Sequence, residues 1–233
     1  MQPYFFPYIG YFALISRVDQ WVIFDVTQFT PKSWMTRNRI LNLNKDWIYI
    51  SCNINKGSRN KKIFEITLKD QSNDLENIKK KLLSYYKKAP YYDRVINIIE
   101  NIFIGTQSNK LVDLNHNCLK QCCNYLDISY NPIIWSEQNI SLSNINHSGS
   151  WALEISSLLG ATEYINPGSG RDLFKVEEFK NRNIKLKFLD SCSFFYNVPP
   201  PFCFVDNLSI IDVMMWNEPK QIKKQIRNFK LIT

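Results

Sequence analysis

Apolar positions along the chain change period twice. Near both ends they fall in short continuous or alternating runs, which predict strands at residues 21–26 (WVIFDV), 46–53, 62–68, 133–135, 161–165 (ATEYI) and 184–189. The turn-rich NKGSRN between the second and third of these runs predicts a hairpin. From about 73 to 128 apolar residues recur three to four apart in LENIKKKLLSYYKK, YDRVINIIENIF and NKLVDLNHNCLKQCCNYL. That spacing predicts three helices, divided at Pro90 and at 105–107. A further helix begins at a cap supplied by Ser148 or Ser150 and ends at Gly160. Another runs over 176–181, and Ser209 with Asp212 forms an SxxD capping box for the one that follows. These elements predict an α/β fold, a mixed central sheet flanked by helices with a mostly helical middle segment. The expected organisation is one domain over 1–233 with a helical insertion at about 73–128.

Residues 2–12, QPYFFPYIGYF, fit neither period. Pro3 and Pro7 fix φ, while Tyr4, Phe5, Phe6, Tyr8 and Tyr11 supply flat apolar area, so a stiff ring-lined loop is expected. It is either a plug in the core or one wall of a ligand pocket. Asp25 stands near the end of its strand, as a cap for the next turn or as a carboxylate at the carboxyl edge of a sheet. In KSWMTRNRIL, alternation puts Arg37 and Arg39 on one face and Asn38 on the other. No acidic residue stands between Asp25 and Asp46, so this pair suits a phosphate or carboxylate, or else guards an exposed edge strand.

Charge widens the list of partners. The formal net charge is +8, with lysines and arginines clustered at Lys79, Lys80 and Lys81, at Lys87 and Lys88, and from Lys220 to Lys230. Such runs are solvated helix faces or an attraction to a nucleotide, an RNA or an acidic membrane surface. Six cysteines are too sparse for a secreted disulfide framework and suit a reduced compartment. His116 with Cys118, Cys122 and Cys123 spells HxCxxxCC without a second ligand pair, so no metal is expected, and His116 reads as a packed or surface residue. No apolar run reaches the length of a membrane span and no signal-peptide pattern is visible, which leads to the expectation of a cytoplasmic protein without stable membrane insertion. His147 precedes the helix start at Ser148, where an anionic group could rest. NPGSG at 166–170, with Gly168, Ser169 and the adjacent Arg171, could clasp a phosphate, although it matches no phosphate-loop signature and is equally a plain turn.

QPYFFPYIGYF, WVIFD, SWMTRNRIL, APYY, LGATEYINPGSG and LSIIDVMMWN together, in order over nearly the whole chain, resemble the WbqC-like family. That resemblance implies a role in assembling bacterial surface polysaccharide (O-antigen) and an N-acyltransferase or aminoacyltransferase activity. The group transferred would be an acyl or glycyl unit, placed on the amine of a nucleotide-linked amino sugar. Similar proteins begin several residues earlier with a short apolar strand, which leaves the place of Gln2 relative to a ligand open. For such a reaction His147 is the first candidate base and Asp25 the second. Arg37, Arg39 and Arg171 would hold a pyrophosphate, with Ser148, Gly168 and Ser169 beside it. Asn38 and Gln2 would hydrogen-bond sugar or acyl groups, and Tyr4, Tyr8 and Trp34 would stack on a sugar or base. Cys52 is a conceivable acyl-accepting nucleophile, but its strand position predicts a buried thiol. No cofactor is expected; the donor is an aminoacyl-tRNA or a thioester, and other polysaccharide-assembly enzymes are candidate partners. The alternative is a non-catalytic protein that binds the nucleotide-sugar or scaffolds an assembly cluster.

Overall fold

Helix α1 (Ile9–Ile15) follows the aromatic opening and is buried at every position, as its charge-free sequence allows. In this computed structural model, which describes residues 1–190 and 192–233, the chain is a mixed α/β fold of short elements. Strand β1 (Trp21–Ile23) precedes an antiparallel hairpin of β2 (Arg37–Leu41) and β3 (Trp47–Ser51). Helices α2 (Gln71–Leu82), α3 (Tyr92–Gly105) and α4 (Leu111–Tyr125) form the helical middle, after which β4 (Pro132–Ile134) pairs in parallel with β1. Helix α5 (Ser150–Leu158) leads into β5 (Glu163–Pro167), α6 (Val176–Asn181) and β6 (Lys185–Leu189), and β6 pairs in parallel with β5. Helices α7 (Ile210–Trp216) and α8 (Pro219–Asn228) precede the two-residue β7 (Leu231–Ile232), antiparallel to β6. Among the described residues no helix is long and apolar enough to cross a membrane.

Among the described residues the expected central sheet is replaced by three small ones, β1–β4, β2–β3 and β5–β6–β7. Beyond Ile23 the chain leaves the ladder: Phe24 N–H donates to Met1 O at 2.8 Å, and the carbonyls of Asp25 and Thr27 accept from Phe64 and Ile63. Those two amides are therefore spent. Residues 62–68 accordingly hold a 3-10 turn at Ile63–Glu65 rather than a strand, with the Glu65 carboxylate accepting from Lys62 N–H at 2.7 Å. Around NKGSRN the chain returns antiparallel only at a single bridge, Ile54 with Leu68, and the full hairpin ladder forms one segment earlier, across residues 42–46, where the Asn42 side chain takes the Asn44 amide at 3.0 Å. At α5 the N-cap position is Gly149, and Ser150 Oγ instead donates back to His147 O at 2.6 Å. Ser209 does cap α7, but Asp212 turns inward and completes no capping box.

The aromatic opening is a loop whose carbonyls are answered from three directions. Asn38 Nδ2 donates to Phe5 O at 3.2 Å and to Phe6 O at 2.8 Å, while its Oδ1 takes the Arg39 amide at 2.8 Å. Asn115 Nδ2, from α4, reaches Pro3 O and Met35 O, each at 2.9 Å. Ser209 Oγ adds a second bond to Phe6 O at 2.8 Å, and Ile210 N–H closes on Pro7 O at 2.9 Å. Held this way, Phe6 keeps a φ of 41°, a conformation that a bulky residue adopts only when its surroundings over-determine it. Phe5 and Phe6 are buried side by side with ring centroids 4.8 Å apart. Burying each ring contributes about 1.5 to 3 kcal/mol. An unanswered buried carbonyl costs about 1 to 3 kcal/mol, so the rings stay inside only because the amides do.

Two clusters of buried apolar residues result. The larger spans the N-terminal loop, the hairpin, α2–α4, α7 and α8; the smaller consists of Leu153, Phe179, Ile184, Leu186 and Phe188 under α5 and α6. Cys118, Cys122 and Cys123 lie buried in the larger one, and burial pushes the Cys123 thiol up to about 12. Cys52 is likewise a buried thiol, raised above its ordinary value by burial. Among the described residues no group of three or more His, Cys, Asp and Glu side chains is placed to hold a metal ion.

Asp212 is a buried carboxylate that accepts from the Tyr85 and Tyr196 hydroxyls and, at 3.3 Å, from the Leu41 amide. Burial raises its pKa above 3.8 in spite of those donors. In the interval between the ordinary and raised values the folded chain keeps a proton that the unfolded chain has lost, so this group's contribution to stability falls as pH rises through it. Wild-type protein should therefore lose stability relative to Asp212→Asn as pH rises from the ordinary carboxylate value of 3.8 through the raised one, in paired urea titrations; a constant difference would refute the assignment. Asn38→Ala should cost about 2 to 3 kcal/mol in the same measurement, because it strips the Phe5 carbonyl and the Arg39 amide of their partners.

Candidate functional site

Between the two apolar clusters opens a cleft of about 1590 Å³. Pockets for drug-sized ligands hold about 300 to 1000 Å³, so this one has room for a ligand of two joined parts. Its first wall is the aromatic opening, with Gln2, Tyr4, Tyr8 and Trp21, continued by Phe24. The edge of the hairpin adds Trp34, Asn38 and Arg39. Facing them are Ser148 and Trp151 at the start of α5, then Asn166 and the turn Gly168–Leu173 at the carboxyl end of β5. The carboxyl ends of parallel strands are where open α/β sheets receive ligands, and two such ends, those of β1 and β5, contribute here.

Glycines let the walls close. Tyr8 lies over the second residue of α1, so that a Cβ on Gly10 would stand 2.4 Å from its ring. Across the cleft, a Cβ on Gly149 would be 2.2 Å from the carbonyl oxygen of Leu173, which only a glycine permits. Burial raises the pKa of the Tyr4 and Tyr8 phenols above 10.0, so both line the cleft as neutral hydroxyls. Gln2 is tied to Thr27 by a 3.4 Å bond, and the Tyr11 hydroxyl donates to Gln2 O.

Among the described residues three guanidiniums line the cleft, and their duties differ. Arg17 is spent on the C-terminal carbonyls of α8, donating to Ile226 O at 3.0 Å, to Arg227 O at 3.1 Å and to Phe229 O. Arg39 lies 5.6 Å from the Trp34 ring and 5.3 Å from that of Trp47, donates to Asn207 O at 3.2 Å, and has a buried Nε with no hydrogen-bond partner. Arg171 is stacked 4.8 Å from the Phe188 ring and donates to Thr233 O at 2.5 Å. The cleft carboxylates are Asp19, Glu163 and Asp190, of which Glu163 is in an ion pair with Lys187.

The fold thus brings Gln2, Tyr4, Tyr8, Trp34, Asn38, Arg39, Ser148, Gly168, Ser169 and Arg171 to one cleft. Asn38, however, has its amide committed to the loop carbonyls. The remaining three candidates lie outside the lining. His147 accepts the Gly149 amide on Nδ1 at 3.2 Å, which leaves Nε2 to donate to Glu178 at 2.8 Å. The Glu178 carboxyl is held below its ordinary value by that hydrogen bond, with a second from Lys175. Asp25 is buried and caps the 3-10 turn Trp135–Gln138 through the Ser136 amide at 2.9 Å and hydroxyl at 2.6 Å. Burial raises its pKa, opposed by those two bonds. Arg37 lies 4.2 Å from the Tyr49 ring, outside the cleft wall.

The WbqC-like protein family model matches residues 2–224. This chain belongs to that family. The WbqC-like chain is also 28% identical over 202 residues to the uncharacterized protein Rv1507c of Mycobacterium tuberculosis (strain ATCC 25618 / H37Rv), covering 82% of this chain and 80% of that one. No solved structure matches it. Within the WbqC-like cleft the residues that pattern reading missed are Asp190 and the ring pair Phe24 and Trp151, with centroids 5.4 Å apart, while Asn166, the first residue of NPGSG, accepts from the Tyr164 hydroxyl on Oδ1 at 3.0 Å. Trp151 carried a signal, since it stands directly behind the predicted helix start; Phe24 carried none, being one apolar residue in an apolar run.

Gly149→Ala should lower stability by about 2 kcal/mol or more, because the obstructing atom is backbone, whereas Gly10→Ala should cost less, because the Tyr8 ring can swing aside. Urea denaturation of the two variants decides it, and equal losses would contradict the close approach of α5 to Leu173.

Proposed function

We propose that the cleft binds a nucleotide-linked amino sugar and that the protein transfers an acyl or aminoacyl group to the sugar amine, in the assembly of bacterial surface polysaccharide. The observation that carries this reading is the meeting of rings, neutral hydroxyls and two guanidiniums on facing walls of a single large cleft. Arg39 and Arg171 are cations suited to the pyrophosphate. Trp34 offers a face to the base or sugar, and Tyr4, Tyr8, Gln2 and Ser148 offer donors and acceptors to sugar hydroxyls. Gly168 and Ser169 bring backbone close to the phosphates beside Arg171. The polysaccharide context rests on the family to which the chain belongs.

In the reaction the amine nitrogen attacks the carbonyl carbon of the activated acyl group, a C–N bond forms, and the ester or thioester bond breaks with release of the alcohol or thiol. The amine proton passes to a base, and the oxygen that becomes anionic needs donors. Asp190 is the base in this proposal, since it lines the cleft just beyond the end of β6, beside the Gly168 turn. His147 and Asp25 act as positioning residues, the first for the start of α5 and the second for the turn at 135–138.

Titration calorimetry with a panel of nucleotide-linked amino sugars should give binding that Arg171→Ala weakens at least about tenfold, the equivalent of one lost charge-assisted contact. Incubation with acyl thioesters and with aminoacyl-tRNA should add the acyl mass to the sugar in wild-type protein and not in Asp190→Asn. Sugar binding without any mass gain would leave a nucleotide-sugar-binding protein, and binding of neither would remove the proposal altogether.

A further inference from the structure

The outer face of the β2–β3 hairpin carries an array that meets the cleft only at its edge, through Trp34 and Arg39. Pairing of Arg39 with Tyr49 and of Leu41 with Trp47 puts both arginines of β2 and both rings of β3 on the same side, while Asn38 and Ile50 pair on the side facing the core. Arg37 lies 4.2 Å from the Tyr49 ring centroid, and Arg39 lies between Trp34 and Trp47 at 5.6 and 5.3 Å. Trp47 and Tyr49 contact each other with centroids 4.9 Å apart, and Trp34 remains 38% exposed. Lys45 lines the shallow groove of about 420 Å³ beside these rings, and Lys81 reaches Tyr49 O at 2.8 Å. The carboxylate in this groove is Asp46, and among the described residues none of the four cations forms an ion pair within 4.0 Å.

We infer that this face binds single-stranded nucleic acid. The inference goes beyond the amino-sugar reading and does not depend on it. Arg37, stacked on Tyr49, presents its N–H edge to a phosphate, while Arg39 has one N–H given to Asn207 O; the exposed Trp34 and the half-buried Trp47 offer indole surface to unstacked bases, whatever their identity. A duplex offers the charge but hides its base faces, and an acidic peptide offers carboxylates without flat rings. The net charge of +8 supplies the long-range attraction. Because Trp34 and Arg39 belong both to this face and to the cleft wall, a strand laid along the hairpin runs to the cleft mouth.

Fluorescence anisotropy with labelled RNA and DNA single strands of one mixed sequence, and with their duplex, tests it. Both single strands should bind at least about tenfold more tightly than the duplex at about 50 mM salt and weaken steeply by about 200 mM. Trp47→Ala should weaken single-strand binding at least about fivefold while circular dichroism shows the fold intact. Should that variant melt early, Arg37→Gln decides: it should reduce the slope of log affinity against log salt by about 0.7. Equal affinity for the duplex, an unchanged salt slope in Arg37→Gln, or no binding at low salt overturns the inference. A preference for RNA over DNA among the single strands would support it and identify the strand's chemistry.

Discussion

The carbonyls of an aromatic loop have to be hydrogen-bonded inside the protein, and most of the architecture around the cleft follows from that demand. Rings at Phe5, Phe6 and Tyr11 drive the opening segment into the core, where water cannot reach its backbone. Two prolines leave the segment unable to pair as a strand. The acceptors are therefore answered by side chains, Asn38 from β2, Asn115 from α4 and Ser209 before α7. Three distant parts of the chain are pinned to one loop. The hairpin, the helical middle and the C-terminal helices consequently share a core, and the hydroxyl-bearing rings of Tyr4 and Tyr8 are left on the outer side of that loop, lining the cleft.

The opposite wall is built on a different principle, the close approach of backbone to backbone. Helix α5 begins against the carbonyl of Leu173 because Gly149 has no side chain, and the Gly168 turn leaves β5 beside Leu189 for the same reason. Asp25, Asp74 and Asp212 are buried carboxylates, each given at least two donors, and they fasten turns and loops that carry no apolar face of their own. In each of them burial raises the pKa and the donors oppose it. Those partners mark all three as structural members of the fold, Asp25 included, which the sequence offered as a second candidate base.

The hairpin joins two surfaces of different chemistry. Its inner face holds the loop through Asn38, and its outer face displays arginines against aromatic rings. Alternation along RNRI separates these duties, and Asn38 spends its amide on the loop carbonyls while its arginine neighbours stack on rings. Arg39 reaches both the cleft and the outer face because it stands at the edge where they meet.

By itself the sequence determined the helical middle, whose three-to-four periodicity over α2, α3 and α4 is a local property; it also determined the glycine stop of α5, the alternation of RNRI, and membership of the family through motifs in order. It likewise announced the stiff aromatic opening, in which Phe5 and Phe6 plug the core while Tyr4 and Tyr8 line the cleft. Only the tertiary structure decided which strands pair, because segments as short as β1, β4 and β7 take their partners from whatever packs beside them. It also decided the fate of His147, Asp25 and Arg37. A side chain's type states what it can donate or accept, but which partner claims it depends on neighbours far away in sequence: Glu178 for the imidazole, Ser136 for the carboxylate and the Tyr49 ring for the guanidinium.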